Sequence, residues 1–445
     1  MASTYLTRTP STAGNRKTWT YSAWVKRSEL SGSNYPMLLD QRIDSNNRTG
    51  IFFGDAEDFY GLFSYASGSQ NAFIRPAGVF RDLSAFYHFV VAVDTTQATA
   101  SNRVKVWING NLQTGLTNSD YPSLDADLEI NNTGTISIGG GSGLTGFGGL
   151  MAHVHFIDGL AYDASAFGQF DANGIWTPNA SPSVTYGTNG FFLDFADSTS
   201  MGNDVSGENN DFTVGGGDVT QTLDTPSDNF CTWNPLNQQS SISYSEGNTT
   251  FINSSSTNRM AFSNFGVEQG KWYSELKIGV VNDYMRLGIA DISYYIPVTN
   301  AYSTNLPNSV SYANDNPVFI GGSSQGAFST FTTNDIISIA MDMDNGFVYF
   351  RKNADAWINS GVPTSGATGT GGFAIPNYTT KTYCFLGSSF DGGTDNTVLA
   401  NFGNGYFGTT EIVSPENDSA GLGKFAYAVP AGYYALNTKN LAEFG

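Results

Sequence analysis

Two stretches far apart in the chain share one device: a strand-like apolar run that stops at Asn-Gly and then turns back. The first is Val104-Lys105-Val106-Trp107-Ile108 before Asn109-Gly110. The second runs from Ile337 through Met343-Asp344 to Asn345-Gly346 and continues as Phe347-Val348-Tyr349-Phe350. Asn and Gly tolerate positive φ at both central turn positions, which matches the twist of a two-residue hairpin, and period-two alternation supplies the strands. Each hairpin sits in a series of similar short strands. The pattern predicts an all-β chain built as two tandem antiparallel β-sandwiches, an architecture that presents surfaces more often than it catalyses.

A length of 445 residues accommodates two sandwiches of roughly 200 residues each. The 51 glycines and an aromatic content of 14% fit strands joined by many turns, and only 13% charged residues leaves the surface to hydroxyls and amides. The formal charge of −19 would repel a phosphate backbone or an anionic membrane, so neither nucleic acid nor membrane is an expected partner. No apolar run approaches the ~20 residues that span a bilayer. The opening Met1-Ala2-Ser3-Thr4-Tyr5-Leu6-Thr7-Arg8 lacks the charged and apolar regions of a secretory leader, and none is expected. Cys231 and Cys384 lie far apart, Cys384 in an apolar run, and are read as buried thiols without a disulfide framework.

Strand signals run through both halves. The first half carries Trp19 to Val25, Ile51-Phe52-Phe53, Phe86 to Asp94, Thr135 to Gly139 and Leu150 to Asp158, with a short helix capped by Asp163. Residues 1–215 are assigned to the first sandwich, 216–239 to a linker and 240–445 to a second sandwich with a C-terminal tail.

The order Tyr21-Ser22-Ala23-Trp24-Val25-Lys26, Tyr87 to Asp94, Val106-Trp107-Ile108-Asn109-Gly110, Ile136-Ser137-Ile138-Gly139 and Gly149 to Val154 resembles a laminin-G-like, concanavalin-A-like lectin/glucanase jelly roll over about residues 4 to 214. Gly270-Lys271-Trp272-Tyr273, Leu287-Gly288-Ile289-Ala290 and the stretch from Ile337 to Asn353 resemble a SPRY domain over about residues 240 to 407. The pair of domains, the joint Asn229 to Leu236 and the tail Pro430 to Leu441 resemble virion structural proteins of tailed phages. That resemblance implies a non-enzymatic protein of the tail or fibre, or a head decoration or knob, exposed on the particle after assembly in the host cytoplasm. Its implied partners are other virion proteins, further copies of the chain and a host surface glycan or receptor.

Several motifs carry possible chemistry. Gly141-Ser142-Gly143-Leu144-Thr145-Gly146 matches G-x-G-x-x-G, but Leu150 to Asp158 alternates like a strand where a dinucleotide site needs a helix, so the motif reads as a plain loop and no cofactor is expected. Asp125-Ala126-Asp127-Leu128-Glu129 places carboxylates two apart, ~6.6 Å along one strand face, a permissive spacing for a glycoside hydrolase. The first position is shortened from Glu to Asp and sugar-stacking rings are lacking nearby apart from Tyr121, so a solvated acidic edge is the preferred reading and a glycan depolymerase the alternative. His153 and His155 share a strand with no third ligand beside them, and no metal is expected; Asp391 to Asn396 could ligate calcium but reads as a turn. Tyr294, Tyr295, Tyr302 and Tyr312 lie among Asn, Ser and Thr in an insertion of the second half, a mixture suited to recognition, and are the expected ligand- or partner-binding residues.

Overall fold

The computed structural model describes residues 4–55, 57–217, 219–237, 241–254, 256–295, 306–390 and 395–445, the Tyr295 side chain excepted. The chain forms two compact units, residues 1–221 with 225–227 and residues 222–224 with 228–445. Each is an antiparallel sandwich, as the hairpins and turn-bounded strands predict.

The first unit begins with β1 (Tyr5–Arg8), β2 (Thr18–Arg27), β3 (Met37–Asp44), β4 (Asn47–Gly54), β5 (Phe59–Ala66), β6 (Ser69–Pro76), β7 (Tyr87–Asp94) and β8 (Val104–Ile108). It continues with β9 (Asn111–Leu112), β10 (Leu116–Asp120), β11 (Thr135–Ile138), β12 (Gly149–Asp158), β13 (Gly168–Phe170), β14 (Trp176–Pro178), β15 (Phe191–Leu193) and β16 (Thr213–Gly216). One sheet runs β10-β6-β5-β4-β3-β11-β1-β16 and the other β15-β12-β2-β7-β8-β9. Leu39, Ile51, Leu62 and Ile74 from the first face Tyr21, Val25, Phe89 and Val91 from the second within one core. Asn109 and Gly110, with φ of 46° and 79°, close the β8–β9 hairpin as the sequence predicts. Both faces of β2 and β7 are buried, because residues 160–190 cross the outside of the second sheet with Phe167, Tyr186 and Trp176 packed on Val90 and Ile157.

The second unit contains β17 (Ile242–Ser245), β18 (Thr250–Asn253), β19 (Arg259–Phe262), β20 (Lys271–Val280), β21 (Met285–Asp291), β22 (Ser309–Ala313) and β23 (Pro317–Ile320). After these come β24 (Ser323–Ala327), β25 (Ile336–Asp342), β26 (Phe347–Lys352), β27 (Phe373–Ala374), β28 (Tyr383–Ser389) and β29 (Asn396–Asn401). Its sheets run β17-β18-β29-β20-β25-β26-β27 and β19-β28-β21-β22-β23-β24. The β25–β26 turn differs from expectation. Asp342 pairs with Phe347, so four residues rather than two make the loop, and the Asp342 carboxylate accepts the Asn345 N–H at 3.0 Å. That bond caps the wider turn and leaves only Gly346, at φ 75°, in the left-handed region.

The segment expected as a linker, 216–239, is in good part structural. Cys231 and Trp233 enter the second core, with the Trp233 ring edge-on to Phe251 and Phe402 at 5.4 and 5.3 Å. Phe230 pairs with Asn437, and Cys231 N–H donates to the Leu436 carbonyl at 2.9 Å. The joint and the tail are thus one element, followed by a terminal helix, α1 (Thr438–Phe444), whose N-cap Asn437 accepts the Asn440 N–H. Proline and asparagine in both segments mask this pairing in the sequence. Trp233→Ala empties a wholly buried indole site, and the second unit is expected to lose about 3–5 kcal/mol of stability, read from its unfolding transition in denaturant.

Candidate binding face of the first unit

In an antiparallel sheet, paired residues point to the same side. Across the first sheet, Ser137, Asp40, Gly50, Phe63, Phe73 and Asp120 form one such row, on the face away from the core. A second row pairs Met37 with Phe52 and Phe52 with Gly61; a third pairs Arg42 with Arg48 and Arg48 with Tyr65.

Glycine decides how the rings lie. A Cβ on Gly50 would come within 2.6 Å of the Phe63 ring, and one on Gly61 within 3.1 Å of Phe52, so the rings occupy the space a side chain would fill. Ring over glycine restores the burial that a bare strand position forfeits. Phe52, Phe59 and Phe63 form a floor that is nearly closed to water, with Phe52 centred 5.6 Å from Phe59 and 5.4 Å from Phe63. Leu144, from the glycine-rich loop 141–146, packs on the same cluster. Half-buried Tyr65 and Phe73 border this floor, and Tyr35, 47% exposed, stands over Phe52 at 5.9 Å.

Two guanidiniums lie on the rings: Arg75 is 3.9 Å from the Phe59 centroid and Arg48 is 4.8 Å from that of Phe63. Arg48 donates from Nε and Nη2 to buried Asp40, and Arg75 pairs with exposed Glu57. Burial pushes the Asp40 carboxyl upward, and Arg48 and Arg42 oppose the shift. The face therefore offers ring surfaces for C–H groups, with fork-shaped donors beside them, and charges of both signs that largely cancel.

The sequence-predicted sites fare differently. Tyr312 is fully buried in β22 and donates its hydroxyl to the Ser329 carbonyl, so its expected surface role is corrected: it is core, placed by alternation with Val310. Tyr294 packs against Phe262, Leu306 and Cys384, and its hydroxyl accepts the Asn308 N–H at 3.1 Å. The side chain of Tyr295, all of Tyr302 and the loop 391–394 lie outside the described residues. Asp125, Asp127 and Glu129 are not on a strand. Asp125 sits in a turn at φ 59°, and Glu129 is tied to Arg16 at 2.7 Å because buried Leu128 and Ile130 fix the segment's inward side.

His153 lies at a β-bulge of β12, and His155 and His88 are buried under residues 160–190. Among the described residues, no group of three or more His, Cys, Asp or Glu is placed to hold a metal ion. In the second unit, fully buried Glu275 accepts the N–H groups of Ala426 and Tyr427 at 2.7 and 2.9 Å, holding the tail on β20; burial pushes its carboxyl up to about 7.

The sequence reading did not single out the paved face. Its signal is a doubled alternation in β5 and β6, where Phe59, Phe63 and Tyr65 interleave with Tyr60 and Leu62, and Phe73 with Ile74, putting rings on the outer side as well as the inner.

Residues 2–162 match a family, the concanavalin A-like lectin/glucanases superfamily. That match covers the first sandwich through β12. No curated protein matches the chain. Among solved structures, the chain is similar to the SPRY domain of human HERC1, at 15% identity over 38% of this chain and 96% of that one, with a TM-score of 0.30. It is similar to a human SPRY domain at 14% identity over 36% of this chain and 94% of that one, TM-score 0.26. A native heptameric SAP-like pentraxin from Limulus polyphemus is similar at 16% identity over 36% and 71%, TM-score 0.27.

Gly50→Val is expected to push Phe63 off the sheet, destabilising the first unit by about 1–3 kcal/mol in denaturant unfolding, as overpacked positions do. Gly50→Ala should cost less.

Proposed function

We propose that the chain is a non-enzymatic binding protein whose first sandwich takes a saccharide on the ring-paved face of its larger sheet. The observation that carries this reading is the combination on one face of exposed or half-buried Tyr35, Tyr65 and Phe73 with Arg48 and Arg75 fixed on neighbouring rings. Aromatic faces stack on the C–H faces of sugars, and fixed donors select hydroxyl positions. The family matched by residues 2–162 includes lectins in its description, which agrees with such a ligand. Hydrolysis is not part of the proposal, since the acidic triplet that prompted it is a turn with one carboxylate held by Arg16.

We further propose that the protein works on a virion, on the tail or fibre of a tailed phage, with host surface glycan as the ligand and other virion proteins and its own copies as neighbours. This rests on the sequence resemblance of the joint and tail; peptide mass spectrometry of purified particles, with symmetry-resolved imaging to place and count the copies, tests it.

The saccharide reading is tested on a glycan array with the parent chain and the Tyr65→Ala, Phe73→Ala double variant. Loss of at least tenfold in affinity is expected, the scale at which a stacking anchor contributes. Binding by the parent that the double variant retains unchanged would move the site elsewhere.

A further inference from the structure

The opposite sheet of the first unit has its outer face roofed, and the fastening of that roof is chemically one-sided. Trp176, on β14, reaches down between two glycines. A Cβ on Gly110 or on Gly168 would come within 2.6 Å of its ring. The indole Nε1–H donates to His88 Nδ1 at 2.9 Å. An indole nitrogen can only donate, so Nδ1 must accept, and the imidazole proton sits on Nε2, 2.9 Å from Ser22 Oγ. His88 is then neutral, fully bonded, and stacked on Trp24 at 4.6 Å. A proton on Nδ1 would set N–H against N–H, and the indole could not stay seated.

The remaining titratable groups around this site reinforce the bias. From β12, His153 and His155 face the same layer, with ring centroids 6.5 Å apart, and His155 Nδ1 shares a 2.9 Å hydrogen bond with the hydroxyl of Tyr186, from the roof. His155 Nε2, His153 Nδ1 and Trp24 Nε1 are buried without a hydrogen-bond partner among the described residues. Asp194 acts on His153 in the sense that favours its charged form, and Asp204 acts on Tyr186; neither is an ion-pair partner of His88. Burial pushes His88 down to about 3, and lowers His155 and His153 as well. Histidines lowered in this way contribute stability that is fully present above their ordinary value near 6.5 and is lost as pH falls below it.

We propose that Trp176 and His88 form a proton-operated latch: acidification releases the strap of residues 160–190 from the outer face of the second sheet while the sandwich beneath remains folded. The layer released is apolar, with Val90, Ile157 and Phe192 under Phe167 and Tyr186. Phe170 and Ile175, on the same hairpin, are already 54% and 59% exposed. Near its ends the strap is tied to the sheet by Tyr162 N–H to Thr20 Oγ1 at 2.9 Å and by Asp158 N–H to the Tyr186 carbonyl at 2.7 Å. Between those ends, among the described residues, the Trp176 bond is the polar fastening to the sheet, so its loss frees the middle of the strap first.

The test is amide hydrogen exchange of the full chain at pH 7.5 and 5.0, corrected for intrinsic rates, comparing 160–190 with β25 and β26 of the second unit. For one histidine that ionises only when the strap is open, the opening constant rises about thirtyfold over this interval. The parent strap is expected to lose at least that factor in protection while β2 and β7 stay protected. In His88→Gln, whose amide oxygen can still accept the indole N–H, the loss should be about thirtyfold smaller than in the parent. In Trp176→Phe, which removes the fastening bond itself, strap protection should already be low at pH 7.5. Equal pH dependence in the parent and His88→Gln would overturn the latch, as would a strap whose protection does not change between the two pH values. If His88→Gln fails to fold, Trp176→Phe decides alone: strap protection at pH 7.5 equal to the parent's would overturn it.

Discussion

The close seating of aromatic rings on glycines is the contact on which most of this molecule depends. Phe63 covers Gly50, Trp176 lies in the notch between Gly110 and Gly168, and a Cβ on Gly387 would come within 2.5 Å of Phe251 in the second core. A glycine within a strand loses backbone entropy on folding and contributes no side chain to the layer, whereas a ring packed against it recovers apolar contact on a surface otherwise left bare. This explains how a chain with 51 glycines and few charges sustains two cores.

The two outer faces of the first sandwich use that contact to opposite ends. On the second sheet, Trp176 fills its glycine notch from above and carries a roof, and its indole N–H holds buried His88 beneath in the neutral form. On the first sheet the rings come from the strands themselves: Tyr35, Leu144, Arg48 and Arg75 cover Phe52, Phe59 and Phe63, and half-buried Tyr65 and Phe73 border them. Arginines on that face are bound to Asp40 and Glu57, so it does not add to the repulsion expected of a chain at −19. Half-buried rings with guanidinium donors beside them are the grounds on which a saccharide is proposed as the ligand of this face.

Much of the fold was legible because strand alternation and Asn-Gly turns are local signals. Both sandwiches and the Asn109-Gly110 hairpin follow from them, and Asp163 caps a short helical turn, accepting the Ser165 N–H as expected. What was not legible depended on contacts distant in sequence. The joint around Trp233 reads as a linker because its partner residues, Leu436 and Asn437, are some two hundred residues away. Tyr312 reads as a recognition residue because its neighbours are polar, although its position opposite Leu287 commits it to the core. His88 reads as separate from His153 and His155, which share a strand, and only the pairing of β12, β2 and β7 brings the three into one layer. The paved face was missed for a related reason. Aromatic residues on both sides of a strand look like a strand buried on both sides, and only the pairing of β3 to β6 shows which rings share the outer face.

The central claim is that the chain binds a saccharide on the first sheet's outer face, beside rings seated against its glycines. The most direct measurement is a crystal structure of the full chain with the saccharide it binds best. A sugar ring stacked against Tyr65 or Phe73, with hydroxyls within hydrogen-bonding distance of Arg48 or Arg75, is the predicted result. A saccharide seated on the loops of the second unit, with the paved face empty at full ligand occupancy, would contradict it.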